Sequence, residues 1–149
     1  MATKFSHINI ISKNWKKLSD FYIRVFDCRP KPPQRDLSGE WLDRLTSLSN
    51  ASIKGMHLLL PGYDIAGPTL EIFEYNDEII NTSKKINLEG FGHIAFAVED
   101  VELKLNLLLE NGGSVVGRLI DAEIDGVGKI TVVYAKDPEG NIIEIQKWE

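Results

Sequence analysis

The 149-residue sequence predicts an α+β protein made of two βαβββ modules. An internal repeat is the first observation, because the letters FSHI at residues 5–8 return as FGHI at residues 91–94. A strand-like run followed by a helical pattern begins at each copy. The second observation is that both copies close on an apolar-Glu-apolar strand, LEI at 70–72 and IEI at 143–145. The two halves therefore correspond at their beginnings and at their ends.

In the first module, residues 4–11 alternate as in a strand. Asn14 is placed to cap a helix whose apolar positions follow helical spacing up to Val25, ahead of Pro30. The three prolines in 30–39 predict a loop. Three further strands are predicted after it, at Trp41–Leu48, Ile53–Leu60 and Thr69–Tyr75.

The second module repeats this order. Residues 91–98 predict its first strand, and Asp100 is placed to cap a helix with apolar positions Val101, Leu105, Leu108 and Leu109. Gly112 and Gly113 end that helix. The remaining strands are predicted at 114–119, 129–135 and 142–148, with a loop over 119–128.

The length suits a single domain over residues 1–149. We expect module one at about 4–76, a polar linker at about 77–89 and module two at about 90–149. Neither the linker nor the proline-rich segment is long enough to divide the chain into independent domains.

Four residues occupy equivalent places in the two modules: His7 and His93 in the opening strands, Glu71 and Glu144 in the closing ones. Strand alternation turns both histidines away from the face that packs under the helix. Each glutamate lies between apolar residues, and such a carboxylate is costly to bury without a partner. If the faces of both modules curve around one cleft, these side chains form a two-nitrogen, two-oxygen set for a divalent cation.

The alternative for each residue alone is structural, since an isolated histidine on a strand is usually solvated or hydrogen-bonded. Equivalent placement in both copies favours the metal site. His57 has no evident counterpart in the second copy, and we interpret it as a polar or pocket-wall residue.

Composition excludes several classes of partner. A net charge of -5 with 17 scattered Lys and Arg residues gives no basic stripe for nucleic acid. The sequence has no run of 18 apolar residues and does not begin like a signal peptide, so we expect a cytoplasmic protein that binds no membrane. The lone Cys28 predicts a small core residue.

The sequence resembles the vicinal-oxygen-chelate superfamily, which includes glyoxalase I, methylmalonyl-CoA epimerase, extradiol dioxygenases and drug-binding resistance proteins. The resemblance is carried by SHINI, DFYIRVF and PTLEIFEY in the first half. GFGHIAFAVEDVE, the Asn-Gly-Gly at 111–113 and DPEGNIIEI carry it in the second, and bacterial glyoxalase I is the most similar branch. It implies a curved, mostly antiparallel half-barrel cleft with the helices outside.

This resemblance implies metal ligands His7, Glu71, His93 and Glu144, and nickel, cobalt, zinc or manganese as the divalent ion. It implies a small-molecule substrate and a lyase or isomerase reaction through an enediolate, similar to that of lactoylglutathione lyase. We expect Glu144 to be the catalytic base, with Glu71 as the second candidate, and a homodimer as the assembly. An acyl-CoA epimerase, a metal-dependent dioxygenase and a non-catalytic protein that binds antibiotics or other small molecules are the alternatives.

Overall fold

The computed structural model describes residues 2–149. It divides into two compact units, one ending at Ile80 and the other spanning Asn81–Glu149.

The first unit contains four strands and two helices. In chain order these are β1 (His7–Ile11), α1 (Trp15–Phe26), β2 (Arg29–Ser38), α2 (Glu40–Thr46), β3 (Ser52–Leu59) and β4 (Thr69–Tyr75). The sheet order is β1-β4-β3-β2. β1 runs parallel to β4, and the other two pairs are antiparallel.

Helix α1 forms as its sequence predicts. The side chain of Asn14 accepts a hydrogen bond from the Lys17 amide, which confirms the predicted cap. The predicted apolar stripe is buried, because its residues pack on β3 and β4. The helix ends at Phe26, followed by Asp27 in the left-handed conformation with φ 56°.

Two predictions for the first unit are wrong. The proline-rich segment 30–39 is not a loop but lies largely in β2, where an edge position and a register shift between Lys31 and Arg35 accommodate prolines that a central strand would exclude. The predicted strand Trp41–Leu48 is instead largely α2. That helix forms around one anchor, Leu42, which is buried against Ile53 and Phe73.

The second unit contains one helix and five strands. They are β5 (Ile94–Ala97), α3 (Val101–Glu110), β6 (Ser114–Val115), β7 (Ile120–Ile124), β8 (Gly128–Lys136) and β9 (Ile142–Trp148). The sheet order is β5-β9-β8-β6, and β7 pairs with β8. β5 is parallel to β9, and the remaining pairs are antiparallel.

Helix α3 confirms the Asp100 cap, whose carboxylate accepts a hydrogen bond from the Leu103 amide. Only Val101 and Leu108 of its predicted stripe are buried. The predicted strand 114–119 is shorter than expected, since only β6 forms there. The predicted loop 119–128 instead contains β7 and the turn of a hairpin, because β7 pairs along its whole length with β8.

The α+β class is confirmed, with two mixed and mostly antiparallel sheets of four and five strands. The closing strands have the predicted bounds, whereas both opening strands are shorter than predicted. Residues 76–93 contain no helix or strand. No helix within residues 2–149 is long and apolar enough to cross a membrane.

Candidate metal centre

Glu71 lies in the middle of β4, with only 11% of its side chain exposed. Its neighbours from Thr69 to Phe73 are all buried, so the carboxylate has lost most of its water. Asn9 lies directly across the β1–β4 ladder and donates a hydrogen bond from Nδ2 to Glu71 Oε1 at 2.8 Å. A charge-assisted bond of this kind offsets part of the cost of burial.

His57 lies on the other side of Glu71, directly opposite it in the β3–β4 ladder. Its Nε2 is 2.7 Å from Glu71 Oε2, and its Nδ1 is 3.0 Å from the Thr69 hydroxyl oxygen. Burial lowers the pKa of His57, and the charges of Arg35, His7 and Lys31 act in the same direction, against the charge of Glu71. In the neutral ring this geometry assigns the proton to Nε2, which donates to Glu71, while the Thr69 hydroxyl donates to Nδ1.

His7 completes the cluster in the first unit. Its Nε2 is 3.7 Å from Glu71 Oε1, and its ring meets the His57 ring edge-on with 5.7 Å between centroids. The Ser6 hydroxyl lies 3.3 Å from Nδ1. With 41% of its side chain exposed, His7 is more accessible than His57 or Glu71.

The second unit pairs Glu144 of β9 with His93, which lies just before β5. His93 Nε2 is 2.9 Å from Glu144 Oε2, and 14% of the glutamate side chain is exposed. Tyr134 lies opposite Glu144 in the β8–β9 ladder, and its ring centroid is 5.0 Å from that of His93. Burial raises the pKa of Tyr134, and the charge of Glu144 and a hydrogen bond to it act in the same direction.

The sequence did not predict the contact between His57 and Glu71. His57 does line a cavity, as interpreted, but it also has a positional counterpart, because Tyr134 faces Glu144 as His57 faces Glu71. An alignment of letters cannot find two different residue types in equivalent places. Pairing each closing strand with the strand that precedes it in the chain would have shown that His57 and Tyr134 occupy equivalent positions.

The pairs can be compared with the geometry that a divalent ion requires. Two ligands with bonds near 2.1 Å are about 3.0–3.4 Å apart at angles between 90° and tetrahedral. The separations of 2.9 Å for His93–Glu144 and 3.7 Å for His7–Glu71 lie close to that range. Imidazole nitrogen and carboxylate oxygen are suitable donors for nickel, cobalt, zinc or manganese. Within residues 2–149, no group of three or more such side chains is arranged as a ready metal site.

The family is decided by a comparison with known protein families. A family model described as the glyoxalase/bleomycin resistance protein/dioxygenase superfamily matches residues 4–145. This chain belongs to that superfamily. No curated protein matches the sequence.

Several solved structures share the fold. A glyoxalase family protein from Bacillus cereus is similar with a TM-score of 0.77 and 17% identity, over 98% of this chain and 93% of that one. The fosfomycin resistance protein FosX from Listeria monocytogenes is similar with a TM-score of 0.62 and 19% identity, over 100% and 96%. A FosX mutant bound to Mn(II) and 1S,2S-dihydroxypropylphosphonic acid is similar with a TM-score of 0.58 and 18% identity, over 100% and 95%.

Proposed function

We propose that this protein is a metal-dependent lyase or isomerase of the glyoxalase type, which removes a proton from a carbon next to a carbonyl group. One observation carries the proposal: each unit has a histidine and a glutamate in contact at equivalent places in its sheet. The single family match over residues 4–145 supports treating both units as one functional domain.

We propose His7, Glu71, His93 and Glu144 as the ligands of one divalent ion per chain, which is nickel, cobalt, zinc or manganese. The Mn(II) in the FosX structure supports a divalent metal in this superfamily. When bound, such an ion acts as a Lewis acid and stabilises negative charge on substrate oxygens.

Glu144 is the proposed base, and its surroundings support that role. Both oxygens of Glu71 have partners, since Asn9 donates to Oε1 and His57 to Oε2. Glu144 contacts His93 at Oε2 and has a hydrogen bond with Tyr134. It has no donor in the place of Asn9, because Ala95 lies there. A carboxylate held at fewer points reorients more easily to take a proton and return it. Glu71 is the second candidate.

Metal titration tests the ligand set. Metal-stripped protein is titrated with nickel, cobalt, zinc and manganese by isothermal calorimetry. We expect one ion per chain, with the affinity reduced by the single substitutions His7→Ala and His93→Ala alike. Exposed Glu102→Gln, on the surface of α3, is the control. Two independent ions per chain, or no binding, would contradict the four-ligand set.

An activity panel tests the reaction. The metal-loaded protein is assayed with hemithioacetals of glutathione and other thiols, 2-methyl-branched acyl-CoA epimers and catechols. Oxygen consumption with catechols would indicate a dioxygenase instead. Epimerisation of the acyl-CoA would indicate an epimerase, and tight binding without turnover would indicate a small-molecule-binding protein.

Glu144→Gln tests the base. We expect the metal-saturated variant to keep the fold and lose about 10²–10⁴-fold in kcat, the usual contribution of a general base. Glu71→Gln should lose metal affinity first and recover more of its turnover at saturating metal. Turnover by metal-saturated Glu144→Gln equal to that of the parent would contradict the assignment.

The proposal also includes a homodimer and a cytoplasmic location. Analytical ultracentrifugation of the metal-free and metal-loaded protein tests the assembly.

A further inference from the structure

A second feature of the first unit is a cavity of about 330 Å³ near Glu71. It is lined by residues 4–6, which precede β1, by β2 and β3, by the 60–68 connection and by Thr69 at the start of β4. This volume is at the lower end of the range for small-molecule sites. His57 forms part of its wall and contacts Glu71 at 2.7 Å. A molecule in the cavity therefore lies one side chain away from the candidate metal ligand.

The cavity wall is cationic. Lys4, Lys31 and Arg35 line it, and no carboxylate does. Within residues 2–149, none of the three cations forms an ion pair with Asp or Glu. In a chain with a net charge of -5, three such cations around one cavity form a local positive field.

The three cations are held in place by carbonyl groups and keep spare donors. The Lys4 ammonium donates to the Ala66 carbonyl at 3.1 Å and the Lys31 ammonium to the Ile65 carbonyl at 3.2 Å. A guanidinium N–H of Arg35 donates to the Pro33 carbonyl. An ammonium has three N–H donors and a guanidinium five, so each cation can still donate to a bound oxyanion.

Another cavity of the first unit shows the contrast. Its wall includes Lys13, Lys16 and Lys54, but Asp36 and Glu74 line it as well. Two carboxylates thus offset most of the positive charge of its three lysines, whereas no carboxylate lines the first cavity.

We propose that the cavity formed by Lys4, Lys31, Arg35 and His57 binds the oxyanion head group of the substrate, a phosphate, phosphonate or carboxylate. The anion orients the substrate so that its adjacent atoms extend past His57 toward Glu71. The link to the substrate rests on the proposed function, while the anion site stands on the cavity itself.

The test uses metal-stripped full-length protein, so that an anion cannot bind through the metal. Inorganic phosphate, methylphosphonate and acetate are titrated at low ionic strength and followed by NMR, with uncharged trimethyl phosphate as the ligand control. We expect saturable binding of the oxyanions, tighter for the two phosphorus anions because they carry more charge, and weaker as salt is added. Tighter binding of acetate would support the site and assign a carboxylate substrate.

Variants localise the binding. Lys31→Met and Arg35→Met should each weaken it by about tenfold, the usual effect of losing a charge-assisted hydrogen bond. Lys31→Gln retains a donor for the Ile65 carbonyl without the charge, and should weaken binding similarly if Lys31→Met fails to fold. Lys54→Met, at an exposed β3 residue of the cavity that Asp36 and Glu74 also line, is the matched control and should leave affinity within about twofold.

Two outcomes would overturn the proposal: no saturable binding of any of the three anions, or equal binding by the parent, Lys31→Gln and Arg35→Met. Metal titration of the same samples separates the two ideas. Anion binding without metal binding contradicts the proposed function alone, and metal binding without anion binding contradicts this inference alone.

Discussion

Each unit places a glutamate at the equivalent position of its parallel ladder, but the neighbouring residues differ between the two units. Glu71 lies between Asn9 on one side and His57 on the other. The corresponding neighbours of Glu144 are Ala95 and Tyr134. The repeat has thus kept the His–Glu pair in both units while the adjacent ladder positions have diverged.

This difference separates a carboxylate that is fixed from one that is freer. Glu71 accepts from an amide and an imidazole, and its position is defined at both oxygens. Glu144 has a hydrogen bond with Tyr134, but Ala95 gives it no donor comparable to Asn9. Divergence around a shared pair therefore fits a rigid ligand in one unit and a proton-transfer group in the other.

The largest expected effect comes from the two cores. Leu70 and Ile143 pair with Ile8 and Ile94 at equivalent positions, and both are fully buried. We expect Leu70→Ala and Ile143→Ala each to lower the free energy of unfolding by about 2–5 kcal/mol, measured by urea denaturation. Ile79→Ala, fully exposed, should change it little. A negligible effect at either buried site would contradict the equivalence of the cores.

A smaller effect is expected from the residues that differ. His57→Gln should weaken metal binding by about 10–100-fold, as loss of a group that orients a ligand does. Tyr134→Phe should weaken it by less than about tenfold, since His93 still contacts Glu144. Tyr63→Phe, an exposed tyrosine, serves as the control in the same titration. Equal losses at His57 and Tyr134 would show that the two surroundings act alike.

The helix caps offer a finer comparison. Asn14→Ala and Asp100→Ala should each cost about 1 kcal/mol of stability. The aspartate should cost slightly more, because its charge also interacts with the helix dipole. Serine at either position retains the cap and should restore most of the loss in thermal unfolding. If serine and alanine behave alike, the caps contribute nothing to stability.

The smallest expected effect concerns the reactivity of Cys28, a thiol that lies in the first unit. Burial raises the pKa of the Cys28 thiol to about 12, with the charge of Asp27 acting in the same direction. At pH 8 the thiol is therefore almost entirely protonated, and a disulfide reagent should label it only when the unit opens. Leu70→Ala should accelerate labelling more than Ile143→Ala does. Fast labelling of the parent chain would contradict the buried thiol.

Prediction from sequence succeeded where the signal was local. The closing strands were predicted with the observed bounds, because alternation between turn residues is specific there. It failed in residues 30–48. The prolines there predicted a loop where β2 forms, and a strand was predicted where a short helix anchored by Leu42 forms. There, edge-strand pairing and packing on Ile53 and Phe73 decided the structure.

By itself, the sequence determined the α+β class, the twofold repeat, both helix caps and the four residues that form the His–Glu pairs. Only the tertiary structure decided which residues surround those pairs: His57 and Asn9 lie at Glu71, and Tyr134 lies at Glu144. It also decided that three cations line one cavity. The physical reason is strand register. Connections such as 60–68 set it, and a shift of one residue would turn each of these side chains to the opposite face.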